Sequence, residues 1–372
     1  MRERLTLFFA SRYGTITAGA LIGVTAALLQ SAGNPPNMGI CIACFERDLV
    51  GALGLHRAAP VQYLRPEIPA LLLGSFLAAL LFGEFRARSG SAPLVRFVLG
   101  FFAMVGALAF LGCPWRACLR LAGGDLNAVV GFAGLAVAMV IAASFFRRGY
   151  TLERAGKNRS AAGLVLPIGA LLLLVLVSVK LRVSPGGALF FSRDGPGSQR
   201  APIVFSCLAG LLIGALAQRT RFCTIGALRD LFLMRDNHLL SGVAGLIAAA
   251  FAVNIIAGRF SPGFVLQPIA HSNFLWNFLG MVLAGLAFAL AGGCPGRQLI
   301  LAGEGDGDSA LFVLGMCAGG ALAHNFALAA VPDKLVEGAV HTGGLAVPGR
   351  VVVVAGIIVC LVIALAFREK FS

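Results

Sequence analysis

Long apolar segments alternate with short polar segments along almost the whole chain. An α-helix needs about 20 predominantly apolar residues to cross the hydrocarbon core of a bilayer, so these segments predict membrane-spanning helices. The first segment is long enough to span and is followed by many others, which favours a span over a signal peptide. The ten predicted spans are 14–32, 68–84, 96–112, 127–146, 161–179, 202–217, 239–258, 273–292, 309–331 and 349–367.

The composition agrees with this pattern. Hydrophobic residues make up 58% of the 372 residues and charged residues only 12%, whereas a soluble domain carries about 25% charged residues. Within a bilayer, helices satisfy their own backbone hydrogen bonds. The net charge is +14. The basic residues lie at the ends of the apolar segments and not in one stripe, which argues against nucleic-acid binding. The sequence therefore predicts an all-α polytopic membrane protein.

The basic residues also predict the orientation, because cytoplasmic loops carry an excess of Lys and Arg. If the N-terminus is cytoplasmic, 18 of the 30 Lys and Arg residues fall on the cytoplasmic side. The cluster between 147 and 159 is the strongest support. We therefore predict a multi-pass protein of the bacterial inner membrane with both termini in the cytoplasm.

Two cysteine motifs each occur twice, and both pairs have almost the same offset. The first motif is a Cys, five residues and Arg-Asp-Leu, at Cys41–Leu49 and again at Cys223–Leu231. The second is Gly-Cys-Pro-x-Arg followed by Gly-Asp, at Gly112–Asp125 and again at Gly293–Asp306. A matched offset in two independent motifs indicates an internal duplication.

The number of spans between the copies decides how the duplicated halves are oriented. Each half holds four spans, and the span at 161–179 lies between them. Five spans, an odd number, separate equivalent points, so the second half is inserted upside down, as in many transporters. The predicted units are a first repeat at 1–150, a linker span at 151–200, an inverted second repeat at 201–331 and a C-terminal span at 332–372.

Each cysteine motif lies in a connection that is too polar or too short for a full span. Irregular backbone is tolerated at membrane depth where it is buried in protein or lines a cavity. We therefore predict about ten transmembrane helices with four re-entrant half-helices, two from each face, which meet as an hourglass. The predicted substrate path at its narrowest point consists of Cys41, Cys113, Cys223 and Cys294.

These residue types suit an anion. Pro is favoured at the first helical position, so Cys113 and Cys294 are expected near helix N-termini, whose positive dipole end attracts anions. A thiol is a weak, soft donor, and permeation requires binding that is weak enough to release. The Arg-Asp pairs either serve the path or anchor the half-helices as ion pairs. The predicted supporting residues are Arg47, Asp48, Arg116, Asp125, Arg229, Asp230, Arg297 and Asp306.

Other kinds of chemistry agree less well with the sequence than transport does. A membrane thiol oxidoreductase would use Cys41 with Cys44 and Cys113 with Cys118, but the duplication does not repeat Cys44 or Cys118. A zinc site needs about four ligands, and no second Cys-x-x-Cys or His pair completes one. The sequence has no Walker motif for ATP hydrolysis. We expect no enzyme activity, no metal and no cofactor.

The chain resembles the YeeE/YedE family of sulphur-transport membrane proteins over nearly its whole length. The resemblance is strongest to the YedE branch, which is associated with selenium metabolism. This chain departs from the family pattern in carrying Cys44, Cys118 and the two Arg-Asp pairs. The matching segments are Gln218–Cys223, Arg229-Asp230, Gly112–Pro114, Gly292–Gln298 and Leu301–Asp306.

The resemblance implies an inverted-repeat protein that passes an anion along cysteine thiols, here Cys41, Cys113, Cys223 and Cys294. It also implies a TusA-like sulphur-carrier protein as a cytoplasmic partner. We therefore predict membrane uptake of a small sulphur- or selenium-containing oxyanion similar to thiosulphate. The alternatives are the thiol oxidoreductase and a non-catalytic membrane subunit that supports maturation of a selenium-dependent enzyme.

Overall fold

The computed structural model describes residues 2–153, 155–179 and 189–368. Within them the chain is mostly helical, with two small antiparallel two-stranded sheets, β1 (Arg88–Ser89) with β2 (Gly156–Lys157) and β3 (Lys334–Val336) with β4 (Ala339–His341). The helices are α1 (Arg2–Ala10), α2 (Arg12–Ser31), α3 (Ile42–Ala52), α4 (Glu67–Phe82), α5 (Pro93–Phe110), α6 (Pro114–Ala122), α7 (Asn127–Phe146), α8 (Ser160–Gly163), α9 (Val165–Ser178), α10 (Ile203–Thr220), α11 (Thr224–Met234), α12 (His238–Ile256), α13 (Phe274–Ala291), α14 (Pro295–Gly303), α15 (Gly307–Asn325) and α16 (Val347–Ala366).

Every predicted span corresponds to a helix. Eight helical segments in the described ranges are long and apolar enough to cross a bilayer. The other two predicted spans are α4, which has only 16 residues, and α15, which has 19 residues and carries Asp308 in its first turn. The prediction of an all-α polytopic membrane protein is confirmed.

Helix packing repeats itself between the two halves of the chain. Helix α2 packs on α12, and its counterpart α10 packs on α4, the counterpart of α12. In the same way, α5 packs on α15 and α13 packs on α7. Helices α9 and α16 break this pattern, because α9 packs on α4 whereas α16 packs mainly on α13 and α5. The four-helix core of each half is therefore duplicated in space as well as in sequence.

Equivalent helices of the two halves run antiparallel. The segment after α2 meets the start of α10, where the Ala201 N–H donates to Asn34 Oδ1 at 2.9 Å. Arg96, in the first turn of α5, donates to the carbonyl of Ala291, the last residue of α13, at 3.2 Å. The second half is thus inverted relative to the first. We call the face where α2 begins the N-terminal face, and the other the opposite face.

The duplicated helix pairs touch backbone to backbone at glycines. A Cβ on Gly19 of α2 would lie 1.9 Å from the carbonyl oxygen of Gly242 on α12. In the equivalent pair, a Cβ on Gly214 of α10 would lie 2.0 Å from the carbonyl oxygen of Leu71 on α4. Membrane helices associate through such close contact of small residues, because lipid removes the hydrophobic drive that operates in water.

Candidate functional site

The four predicted path cysteines are the N-cap residues of four short helices. Cys41 precedes α3, Cys113 precedes α6, Cys223 precedes α11 and Cys294 precedes α14. These helices have 11, 9, 11 and 9 residues, and at 1.5 Å per residue none of them crosses a core of about 30 Å. Pro occupies the first turn of α6 and α14. We call this set of four cysteines the waist.

Within each half the two cysteines meet. The Sγ atoms of Cys41 and Cys113 are 3.9 Å apart, and the Cys294 N–H donates to Cys223 Sγ at 3.4 Å. Cys41 Sγ also accepts from the N–H of Cys44 at 3.4 Å, which is the N-cap contact. All four path cysteines are buried. The waist therefore consists of two thiol pairs at the positive ends of four helices.

The two halves meet at an aromatic contact between these pairs. Trp115 on α6 packs against Gly296 on α14, where an added Cβ would lie 2.8 Å from the indole ring. The ring also meets Phe222 edge-on, with centroids 5.4 Å apart. Trp115 and Gly296 occupy equivalent positions in the duplicated motif, two residues after its cysteine. The contact thus lies where the two repeats face each other.

Arg116 is fully buried next to the first thiol pair. In the part of the chain that the structure describes, it forms no ion pair with a carboxylate. It therefore contributes an uncompensated positive charge to this half of the waist. Its partners are the backbone carbonyls of Asn37, Leu111, Pro268 and Ile269 and, at 3.7 Å, Cys44 Sγ.

Its counterpart Arg297 behaves differently. It pairs with Glu304 at 3.3 Å and is partly exposed. The equivalent of Glu304 in the first half is Gly123, which has no side chain to pair with Arg116. The two halves therefore differ in the charge that they place beside their cysteines.

The Arg-Asp pairs are ion pairs within each motif and do not exchange partners between the halves. Arg47 meets Asp48 at 2.6 Å, and Arg229 meets Asp230 at 2.8 Å. Asp48 has a second partner, Arg65, at 2.8 Å. The sequence did not single out Arg65, because 17 residues separate it from Asp48 and no motif contains it. The first pair is buried, whereas the Arg229 side chain is 43% exposed.

The second motif ends in Gly-Asp in both halves, and each of these aspartates pairs with an arginine outside the predicted set. Asp125 pairs with the buried Arg120 at 2.6 Å. Asp306 pairs with Arg88 at 2.7 Å and caps α15 by accepting from the Ser309 N–H. Asp125 therefore holds the end of the half-helix α6, whereas Asp306 holds the start of α15.

A basic cavity of about 480 Å³ opens on the N-terminal face and reaches the waist. Cys223 lies in its wall beside Arg229 and Arg297. Arg219 and Arg221 add to the positive lining, which also includes His238 and the carboxylate of Asp230. Arg219, Arg221 and His238 were not predicted as site residues, although the Gln-Arg-Thr-Arg segment before Cys223 carried the family resemblance. The cavity presents to this face a cationic funnel that ends at a thiol.

A second cavity, of about 390 Å³, lies on the opposite face. Its wall includes Asn37, Gly123, Arg259 and Pro268, and none of the four path cysteines. Arg116 donates to the carbonyls of Asn37 and Pro268, so this guanidinium lies between the cavity and the first thiol pair. Of these two cavities, which the described residues line, the one on the N-terminal face reaches the waist at Cys223, and the one on the opposite face does not touch the four cysteines.

The two unrepeated cysteines of the motifs lie on the half-helices of the first half. Cys44, on α3, contacts Arg116, and its Sγ is 3.8 Å from the carbonyl oxygen of Leu111. Cys118 lies on α6. Both are buried. Their predicted role as packing residues is compatible with these contacts, and it stays a prediction.

The fold and the waist define a class of protein, a polytopic membrane protein with inverted halves around a thiol-lined, cationic site. Residues 219–371 match the family described as Sulphur transport. The thiosulfate transporter TsuA of Escherichia coli (strain K12) is 29% identical over 103 residues, which are 28% of this chain and 29% of that relative. Its namesake from Spirochaeta thermophila is 31% identical over 98 residues, 26% of this chain and 29% of that relative.

The aligned segments thus cover less than a third of either relative. The predicted resemblance to the sulphur-transport (YeeE/YedE) family is confirmed, because the family match over residues 219–371 and the two similar transporters agree. The assignment to the YedE branch stays a prediction.

Proposed function

We propose that this protein takes up a small sulphur- or selenium-containing oxyanion, with thiosulphate as the first substrate to test. The observation that carries the proposal is the waist, where four helix N-termini present four thiols. The positive ends of these helices and the uncompensated Arg116 attract an anion. The thiols offer only weak hydrogen bonds, so a soft anion is held loosely enough to move on.

The basic cavity supports a direction for the path. Positive-inside counting places the N-terminal face in the cytoplasm, so the funnel around Cys223 is the proposed exit for uptake. An anion released there would meet a cytoplasmic acceptor, for which a TusA-like carrier protein is our proposal. Selenium species are proposed on the YedE resemblance alone.

Uptake of labelled thiosulphate into proteoliposomes containing the purified protein tests this function. We expect saturable entry that unlabelled thiosulphate and selenite reduce more strongly than sulphate does. Cys360→Ala should transport as the wild-type protein does, because Cys360 lies on α16 outside the waist. It is therefore the matched control for substitutions of the waist cysteines. Entry no faster than in empty liposomes would contradict the proposal.

A membrane thiol oxidoreductase is the second candidate, because Cys41, Cys44 and Cys113 form a cluster of neighbouring thiols. A redox role requires reversible formation of a Cys41–Cys44 disulfide, whereas permeation does not. Thiol counting after treatment with a quinone and then a dithiol separates the two. A protein that transports with all nine cysteines reduced throughout is not acting as an oxidoreductase.

A further inference from the structure

The indole N–H of Trp115 is a buried donor without an acceptor among the residues that the structure describes. Trp115 is fully buried, and none of those residues accepts a hydrogen bond from its Nε1. Buried tryptophans usually find an acceptor for this group, because burying an unpaired donor costs free energy. An unpaired N–H at this depth therefore indicates a group that is satisfied by something other than the protein.

Its position identifies where that partner would come from. Trp115 follows Cys113 by two residues, and its ring lies against Gly296, which follows Cys294 by two residues. The ring edge meets Phe222, the residue before Cys223. The indole thus lies between the thiol pair of the first half and the thiol pair of the second. An anion that moved from one pair to the other would come close to this residue.

The duplication explains why there is one indole and not two. A Cβ at Gly296 would already approach the ring to 2.8 Å, so the contact has no room for a second large side chain. Glycine at the equivalent position makes the Trp115 ring fit. The contact between the two halves therefore holds one indole N–H, supplied by the first half.

We propose that Trp115 forms the central anion-binding contact of the path, where its indole N–H donates to the permeating oxyanion between the two thiol pairs. This inference rests on the proposed function and adds to it a preference among oxyanions. One neutral donor in an apolar ring replaces little of an anion's hydration shell. The contact therefore favours a large, weakly hydrated anion such as thiosulphate over the more strongly hydrated sulphate.

The two tryptophans of the chain allow binding to be measured apart from transport. Trp276→Phe leaves Trp115 as the only indole. In detergent solution, we expect thiosulphate to change the emission of this variant saturably, with sulphate needing at least ten-fold higher concentrations. The matched control is Trp115→Phe, which leaves only Trp276, a residue that contacts Arg350 on α16. That control should show no saturable change.

Transport kinetics give the second measurement. Trp115→Phe keeps an aromatic ring, although a smaller one, and removes the N–H, so we expect the thiosulphate KM to rise about ten-fold or more, as for a lost hydrogen bond to a charged group. Unchanged Trp115 emission in a protein that does transport thiosulphate overturns this inference and leaves the proposed function intact. A wild-type protein that neither transports thiosulphate nor shows the emission change contradicts both. If Trp115→Phe does not fold, the emission of Trp276→Phe still decides the inference.

Discussion

Glu46 carries a buried carboxyl group on α3, and in the part of the chain that the structure describes neither of its oxygens is hydrogen-bonded. The equivalent residue in the second half is Leu228. Because an unpaired buried polar group costs about 1–3 kcal/mol, we expect Glu46→Leu to raise stability by about that amount. Thermal unfolding in detergent micelles measures the effect. Glu46→Gln should gain less, and a lower melting temperature for Glu46→Leu would show that the carboxylate has a stabilising partner.

At the residue scale, we also expect substitutions of repeated and unrepeated cysteines to differ in their effect on transport. Cys113 and Cys294 recur in the duplication and cap half-helices, so Cys113→Ala and Cys294→Ala should lose most thiosulphate uptake. Cys44 and Cys118 do not recur, and Cys44→Ser and Cys118→Ser should keep most of it. Proteoliposome uptake with equal protein loading checks all four variants. Equal losses in Cys44→Ser and Cys294→Ala would favour the oxidoreductase.

At the scale of elements, the glycine contacts between long helices hold the duplicated core together. Gly19→Ala would drive a methyl group into the backbone of Gly242, and overpacking typically costs about 1–3 kcal/mol. Gly214→Ala, in the equivalent pair, should lose a similar amount. Gly169→Ala on α9 is the matched control, because nothing lies within 4 Å of its added Cβ. Equal thermal stability of Gly19→Ala and Gly169→Ala would contradict this packing.

At the scale of the whole molecule, the inverted halves fix which segments share a face. The Thr151 N–H donates to the carbonyl of Phe367 at 3.0 Å, so Thr151 and the end of α16 lie on the same face. Ser198 lies on the opposite face, near Pro60 and Arg65. Reporter tags at 152–158 and after Ser372 should therefore both indicate the cytoplasm, and a tag at Ser198 the other side. The same side for 152–158 and Ser198 would rule out the central span α9.

The sequence by itself determined the fold class and the inversion. Spanning segments are set by local hydrophobicity, because each helix satisfies its own backbone in lipid, and their parity can be counted along the chain. The N-cap positions of Cys113 and Cys294 also followed from local rules, since Pro at the first helical position marks a helix start. The predicted span at 309–331 was too long at its end, because α15 stops at Asn325 and apolar residues continue beyond it.

Only the tertiary structure decided what the motifs contact. Cys41 contacts Cys113, which lies 72 residues further along the chain, and Asp48 pairs with Arg65. Arg116 forms no ion pair in the described ranges, whereas Arg297 pairs with Glu304. A duplicated sequence predicts equivalent environments for equivalent residues. Where the two halves touch each other, however, equivalent side chains compete for the same space. Trp115 and Gly296 therefore differ for a reason that exists only in the folded molecule.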